Sequence, residues 1–146
     1  MSATPNPRLI FHIGDFHDWV EAKANGEYRM STRGHKLADV GFIHASTAEQ
    51  VESVANAVFR GARGLILLVI DPARVTSEIR YEPAMVENPQ ARRVVSEAKT
   101  ERQETVTAYF PHIYGPLNVN AVIEALAFDA ESNGRFYFPK ELVEKL

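Results

Sequence analysis

Apolar residues in this sequence occur in short runs separated by polar segments, a pattern that predicts alternating strands and helices. Residues 8–14, RLIFHIG, form the first apolar run and predict a buried strand. Asp15 is a favoured helix cap, and apolar residues follow it at helical spacing, so a helix is expected from Asp15 to the stop at Gly26. Residues 27–31, EYRMS, predict a second, short strand.

The middle of the chain carries a helix-start signal followed by an amphipathic pattern. Residues 46–49, STAE, match a capping box, in which the serine oxygen and the glutamate side chain each satisfy a free backbone amide. We therefore expect a helix to start there, and apolar residues between Val51 and Phe59 recur at steps that turn one face to the core. The glycines of residues 61–64 end this helix. Residues 65–71, LILLVID, predict a central strand.

The second half of the chain predicts further strands around one long polar segment. Residues 77–85, SEIRYEPAM, alternate as a strand does, whereas residues 87–104 are highly charged with little periodicity and predict a long exposed loop with room for a helical turn. A short helix is expected in residues 139–146. The last strands are expected at TVTAYF, AVIEALAF and RFYF, which are residues 105–110, 121–128 and 135–138.

These elements predict a single α+β domain over residues 8–146, with roughly six to eight short strands. Residues 1–7 contain two prolines and predict a flexible N-terminal tail. The chain has 146 residues, which suits one compact domain with its own core.

Composition narrows the classes of function. The formal net charge of -3 gives no strong nucleic-acid signal and no attraction to an anionic membrane. The longest apolar run, LILLVI, is too short to cross a bilayer, and the N-terminus lacks a signal-peptide core, so we expect a soluble cytoplasmic protein. The chain has no cysteine, which excludes disulfides, thiolate catalysis and cysteine-held metals.

Three of the five histidines share one context, because His12, His44 and His112 each follow an apolar or aromatic run. Each could be a core histidine satisfied by backbone groups. His44 lies two residues before the predicted helix start at Ser46, where free amides favour a phosphate or carboxylate. Pro111 cannot extend a central strand ladder, so His112 is expected at a strand end or bulge, where binding groups are often aimed.

The remaining histidines and the metal hypothesis receive less support. His17 lies within the first predicted helix, and His35 is expected in a solvated loop. Three imidazoles and a water could hold a catalytic zinc ion, but the sequence has no H-x-H or H-E-x-x-H pair. Tyr28 and Tyr114 are aromatic candidates for stacking on a flat ring, and either could equally belong to the core.

The strings LIFHIG, GFIHAS, LILLVID and FPHIYGPLN, in this order, resemble a small bacterial family known as domain of unknown function 952. The resemblance covers roughly residues 8 to 140. That family is grouped by fold with the ADP-ribosyltransferases, whose catalytic domains bind NAD in a cleft between two small sheets. The resemblance therefore implies an ADP-ribosyltransferase-like α+β fold with split antiparallel or mixed sheets and a few short helices. It also implies NAD as substrate.

The same resemblance implies roles for individual residues. His12 takes the position of a histidine that bonds the ribose of NAD, and His44 lies where relatives place a tyrosine that stacks on nicotinamide. His112 stands where the relatives normally present a glutamate. A neutral imidazole stabilises growing positive charge poorly, which disfavours transfer of ADP-ribose to protein. Some relatives, including the tRNA 2′-phosphotransferases, do without that glutamate, so other cleavage or transfer reactions stay open.

The best hypothesis from the sequence is an NAD- or nucleotide-binding domain that catalyses ADP-ribosyl or N-glycosidic transfer or cleavage if it is active. The alternatives are a non-catalytic nucleotide-binding module and a three-histidine metal hydrolase. The acceptor of a transfer reaction cannot be named. The candidate catalytic residues are His12, His44 and His112. The candidate cofactor-binding residues are Tyr28, Ser31, Ser46 and Tyr114.

Overall fold

A computed structural model describes residues 8–85, 89–99, 102 and 105–146 of the chain. The predicted tail, residues 1–7, lies outside the described residues. The described part is an α+β structure of several small antiparallel sheets and five α-helices, which confirms the expected class. No helix among these residues is long and apolar enough to cross a membrane.

The largest sheet has four strands in the order β13-β7-β1-β6, and we call it the large sheet. Its members are β1 (Ile10–Asp15), β6 (Ser46–Thr47), β7 (Leu65–Ile70) and β13 (Val122–Phe128). Strand β7 pairs along its full length with β1, and every residue of β7 is buried. The predicted strands at the first apolar run, at LILLVID and at AVIEALAF are therefore confirmed.

The second sheet has three strands in the order β5-β11-β8, and we call it the three-stranded sheet. It consists of β5 (Ile43–His44), β8 (Glu78–Pro83) and β11 (Tyr109–Tyr114). His112 pairs with His44 on one side and with Arg80 on the other. The third candidate histidine therefore lies inside a central strand.

Three small two-stranded ladders complete the strands. Strand β2 (Glu27–Tyr28) pairs with β12 (Leu117–Asn118), β3 (Met30–Thr32) with β4 (His35–Lys36), and β9 (Glu97–Lys99) with β10 (Thr105–Thr107). The predicted EYRMS strand is thus divided between β2 and β3, which belong to different ladders.

The five helices are short. They are α1 (Phe16–Asn25), α2 (Leu37–Val40), α3 (Val51–Val58), α4 (Pro89–Val95) and α5 (Lys140–Val143). Helix α1 confirms both predicted ends, because the Asp15 side chain accepts from the His17 amide at 2.8 Å and Gly26 closes the helix at φ 84°. Two 3₁₀ turns are present at Pro72–Arg74 and Val119–Ala121.

The large sheet is covered on both faces, which explains the unbroken apolar run of β7. One face packs Phe11, Leu67 and Val69 against α3 and the C-terminal segment. The other face packs Ile10, Leu68 and Ile70 against α1 and the three-stranded sheet. Successive residues of β1 and β7 therefore enter different halves of the core.

The capping box predicted at Ser46 is wrong, because Ser46 and Thr47 form strand β6 and the helix begins at Val51. One of the two bonds of a capping box does form, one residue later than predicted: the Gln50 side chain accepts from the Thr47 amide at 2.9 Å. Pairing of Ser46 with Phe11 in the large sheet overrides the local signal.

The long exposed loop predicted over residues 87–104 is wrong for most of the residues that the structure describes there, although the helical turn that the prediction allowed is present as part of α4. These residues contain α4 and β9, and β9 pairs with β10. Ala91 and Val95 of α4 are buried although the three residues between them are exposed, so the apolar side of this helix consists of few residues. Two buried apolar positions within a highly charged segment are too few to indicate a helix from the sequence.

The strand predicted at residues 135–138 is also wrong, because this segment has no regular structure. Phe136 is nevertheless buried, and its backbone is held by the side chain of Asn56 on α3. The Asn56 amide oxygen accepts from the Phe136 N–H at 2.9 Å, and its nitrogen donates to the Phe136 carbonyl at 3.0 Å. The Asn56 side chain thus satisfies the two backbone groups of Phe136 that a neighbouring strand would otherwise bond.

The position of Pro111 contradicts the expectation that His112 lies at a strand end or bulge. The carbonyl of Pro111 accepts from the Ala45 amide at 3.0 Å, and the proline has no N–H to return the bond. The missing bond is the one that Pro111 would donate to Ala45. Strand β5 ends at His44, so this bond falls just beyond the two-residue ladder of β5 and β11. A proline is tolerated in this central strand for that reason.

We predict that Asn56→Ala lowers the free energy of unfolding by about 1–3 kcal/mol, because both backbone groups of Phe136 lose their partner. Chemical denaturation of the variant measures this loss. Asn133→Ala is the matched control, since Asn133 bonds the nearby Arg135 amide in an exposed turn. Equal effects of the two substitutions would contradict a special role for the Asn56 clamp.

Candidate functional site

His12 joins the large sheet to the three-stranded sheet. Its Nδ1 lies 2.5 Å from the carbonyl oxygen of His44, and its Nε2 lies 2.9 Å from the hydroxyl of Tyr28. A carbonyl can only accept, so Nδ1 carries the proton and Nε2 accepts from Tyr28. Burial lowers the pKa of His12 from 6.5 to about 4, so the ring is neutral at pH 7.

Gly14 makes room for this pair of rings. A Cβ atom at position 14 would overlap the Tyr28 hydroxyl and come within 3.2 Å of the His12 ring. Tyr28 is itself buried, and burial raises the pKa of its hydroxyl, which therefore stays a donor. The sequence LIFHIG thus needs its glycine for packing around His12.

His44 is half-buried beside His112 in the three-stranded sheet. Its ring meets the ring of His112 edge-on at a centroid distance of 5.5 Å and that of Phe42 at 4.8 Å. The imidazole nitrogens make no hydrogen bond within the described part of the chain. Burial, followed by the neighbouring histidines, lowers the pKa of His44 from 6.5 to about 4.

His112 is buried and held by Glu82. Its Nδ1 lies 2.8 Å from Oε1 of Glu82, and the ring of Phe42 stacks on it at 4.1 Å. The hydroxyl of Tyr114 donates to the same glutamate oxygen at 2.5 Å. Burial lowers the pKa of His112 below its ordinary value, although the bond to Glu82 opposes this shift.

A cavity of about 620 Å³ lies between β1, α3 and His44 of strand β5. Apolar residues of β1 and α3 form much of its wall, together with the hydroxyl-bearing Thr32 and Ser46. The charged or titratable residues of the lining are Arg33, His35, His44 and Arg60. Among the described residues that line the cavity there is no carboxylate, so the wall favours an anionic ligand.

The two cavity arginines differ in their surroundings. The Arg33 Nε lies 3.5 Å from an oxygen of Asp15, so part of its charge is compensated. Arg60 follows α3 and is exposed, and within the described ranges it makes no ion pair. Arg60 is therefore the more available cation for a ligand.

The structure brings the three candidate histidines into one cluster but places only His44 in the cavity lining. His12 and His112 lie behind this wall, each almost fully buried. Of the four other candidates, Ser46 also lines the cavity, Tyr28 lies in the core, and Tyr114 is half-buried beside Glu82. Ser31 is fully buried, and its hydroxyl has no hydrogen-bond partner among the described residues.

Metal binding gains no support from the described residues, which contain no group of three potential ligands placed to hold an ion. Both ring nitrogens of His12 are already engaged in hydrogen bonds. A metal held by all three histidines would have to displace one of these two bonds of His12.

Sequence reasoning missed Phe42 and Glu82 at the cluster and Arg33 and Arg60 at the cavity. Glu82 had a usable signal, because alternation along residues 77–85 places it on the same strand face as Arg80. What the sequence lacked was the pairing of β8 with β11, which brings this face against His112. The cavity arginines carry no local signal that separates them from other surface charges.

Comparison with known proteins gives a family and a structural relative. A family profile described as "Protein of unknown function (DUF952)" matches residues 13–125. The crystal structure of protein CC0527 from Caulobacter crescentus is 29% identical, with a TM-score of 0.66 over 92% of this chain and 97% of that chain. A solution NMR structure of CC0527 gives 26% identity and a TM-score of 0.56, over 94% and 96% of the chains. No curated protein gives a significant match.

We predict that acid destabilises this protein between about pH 6.5 and pH 4. The folded-state pKa values of His12 and His44 are about 4, so the unfolded chain binds more protons in this window, and stability falls as the pH falls. Each histidine should cost about 2 kcal/mol between pH 7.5 and pH 5. Urea unfolding at the two pH values measures the loss.

A matched pair of variants assigns this pH dependence. His44→Asn should remove the contribution of this one histidine, about 2 kcal/mol, since the pKa values of His12 and His112 stay lowered by burial. His17→Asn changes an exposed histidine of α1 and should leave it unaltered. A free energy of unfolding that is the same at pH 7.5 and pH 5 in the unmodified protein would refute the assignment.

We predict that Gly14→Ala destabilises the protein by about 1–3 kcal/mol, because the added methyl group overlaps the Tyr28 hydroxyl. In a Tyr28→Phe background the hydroxyl is gone, so the same glycine substitution should cost less. Denaturation of both single variants and the double variant gives the coupling free energy. Additive effects would show that the hydroxyl is not what excludes a side chain at position 14.

Proposed function

This chain belongs to the DUF952 family of proteins of unknown function, and from that premise we propose that it binds NAD or a related nucleotide in the cavity beside β1 and α3. The observation that carries the proposal is the charge of the lining. Every charged or titratable side chain among the described lining residues is an arginine or a histidine. Arginine binds phosphate groups through paired N–H donors, which match the spacing of two phosphate oxygens.

The size and walls of the cavity suit such a ligand. Its volume of about 620 Å³ falls within the usual range for small-molecule sites. Phe11, Phe59 and Met85 supply apolar surface for a flat base or sugar, and Ser46 and Thr32 supply hydroxyls. This mixture of apolar walls and a few polar groups is typical of nucleotide sites.

The position of the cavity also supports the resemblance to ADP-ribosyltransferases, which bind NAD between two small sheets. Phe11 and Ile13 of the large sheet and His44 of the three-stranded sheet meet at this cavity. We propose that the chain has a split-sheet fold of this type. His44 then contacts the ligand, whereas His12 supports the wall from behind.

Binding is better supported than catalysis. Cleavage of an N-glycosidic bond builds positive charge on the sugar, which a carboxylate stabilises well. No carboxylate lines the cavity within the described ranges, and the arginines would oppose such charge. A binding module is therefore the form of the proposal that the geometry favours, and release of nicotinamide from NAD is the assay that distinguishes an active enzyme.

We predict that Arg60→Ala weakens binding of ADP-ribose about tenfold, the effect of losing one charge-assisted contact to phosphate. Isothermal titration calorimetry measures the affinity. Arg63→Ala is the matched control, because Arg63 is exposed in the same loop between α3 and β7 and is not part of the cavity lining. Equal affinities of the two variants would argue against a phosphate at Arg60.

A titration with NAD followed by NMR tests the location of the ligand. The carbon-bound imidazole protons of His44 should shift on binding, because this ring lines the cavity. Those of His17, exposed on α1, should not move. Absence of any histidine shift at millimolar NAD would remove the proposed ligand.

A further inference from the structure

Glu82 occupies a place in the histidine cluster that the proposed ligand site does not explain. It lies on β8, and its Oε1 accepts from His112 at 2.8 Å and from the Tyr114 hydroxyl at 2.5 Å. The two bonds, first that of Tyr114 and then that of His112, lower the pKa of the Glu82 carboxyl group, which is therefore ionised at neutral pH. A single carboxylate oxygen thus holds two side chains of the neighbouring strand.

The bond to Glu82 determines where the proton of His112 lies. An ionised carboxylate can only accept, so the proton of neutral His112 is on Nδ1. Nε2 is left as an acceptor, and it makes no hydrogen bond to the described residues. Without Glu82 the ring would have no hydrogen-bond partner among the described residues to fix its tautomer.

The fixed ring of His112 in turn supports the cavity wall. Phe42 stacks on His112 at 4.1 Å with an interplanar angle of 24°, and His44 meets His112 at an interplanar angle of 81°. Phe42 also contacts His44. His44 therefore packs against two rings, those of Phe42 and His112. A rotation of the His112 ring changes its contact with His44 and also moves Phe42, which stacks on it.

Arg80 packs on the Tyr114 side of the group formed by Glu82, His112 and Tyr114. Its guanidinium lies 4.3 Å from the centre of the Tyr114 ring and pairs with Glu78 at 3.0 Å. Arg80 and Glu82 lie on the strand face that meets His112, whereas Ile79 packs against the core on the opposite face. The network of Glu82, His112 and Tyr114 is therefore held from several sides.

We propose that Glu82 is a positioning residue of the nucleotide site, which acts through His112 and Phe42 to set the ring of His44 in the cavity wall. This inference rests on the proposed function for its effect on ligand affinity. Its structural part, the control of His112 and His44 by Glu82, can be measured without a ligand. Glu82 itself does not line the cavity.

The test compares Glu82→Gln with Glu78→Gln. Both substitutions remove one negative charge from the same face of β8, but Glu78 bonds Arg80 and not His112. Nitrogen-15 NMR of the imidazoles reports the tautomer of His112 and the environment of His44. We expect the unmodified protein and Glu78→Gln to show the proton of His112 on Nδ1, and Glu82→Gln to lose this preference and shift the signals of His44.

The affinity for ADP-ribose supplies the functional part of the test. We expect Glu82→Gln to bind ADP-ribose about fivefold more weakly, as for the loss of one hydrogen-bonded contact, and Glu78→Gln to bind as the unmodified protein does. Denaturation curves separate these effects from a loss of stability, since a merely structural role would lower the unfolding midpoint without altering the His44 signals of the folded protein.

Two results would overturn the inference. If Glu82→Gln and Glu78→Gln have the same His112 tautomer and the same His44 signals, Glu82 does not position the cluster. If His44 shifts in Glu82→Gln while the affinity for ADP-ribose stays that of Glu78→Gln, the positioning has no role in binding. Failure of the unmodified protein to bind ADP-ribose at all is a different outcome, which removes the proposed function and with it the ligand-dependent part of this inference.

Discussion

The hydrogen bond from His12 to the carbonyl of His44 is the contact on which the arrangement of the site depends. It crosses from the large sheet to the three-stranded sheet between residues 32 positions apart. The carbonyl of His44 requires the proton on Nδ1, and burial keeps the ring neutral, so Nε2 is free to accept from the Tyr28 hydroxyl. This bond holds the carbonyl of His44, whose backbone also pairs with β11, and the side chain of His44 lines the cavity.

The cluster shows how one residue type can serve different purposes in adjacent places. His12 has both ring nitrogens bonded inside the protein, His112 has one bonded to a carboxylate, and His44 has neither bonded among the described residues. Desolvation keeps His12 and His44 uncharged at neutral pH, so the formal positive charge at the cavity comes from the arginines. A shared sequence context therefore did not imply a shared role.

Local signals in the sequence predicted the elements whose causes are local. Asp15 and Gly26 bound α1 as expected, and the apolar run of residues 65–70 is the buried central strand. The errors arose where a distant partner decides the structure. Pairing with β1 makes Ser46 a strand residue, and an amide side chain from α3 holds Phe136 in place of a strand. For the site, the three histidines could be found from their context, whereas Glu82 and the cavity arginines depend on strand pairing and helix placement that no short motif encodes.

The proline of the three-stranded sheet has a consequence for the solubility of the folded chain. An open sheet edge offers unpaired backbone groups to other molecules and can start aggregation. Here the β5 edge is only two residues long, because the ladder stops where Pro111 cannot donate. The opposite edge, β8, carries Glu78, Arg80 and Glu82 and ends at Pro83. Both edges of the three-stranded sheet are therefore poor templates for β-pairing with another molecule. The sheet can end at three strands without offering a long open edge for aggregation.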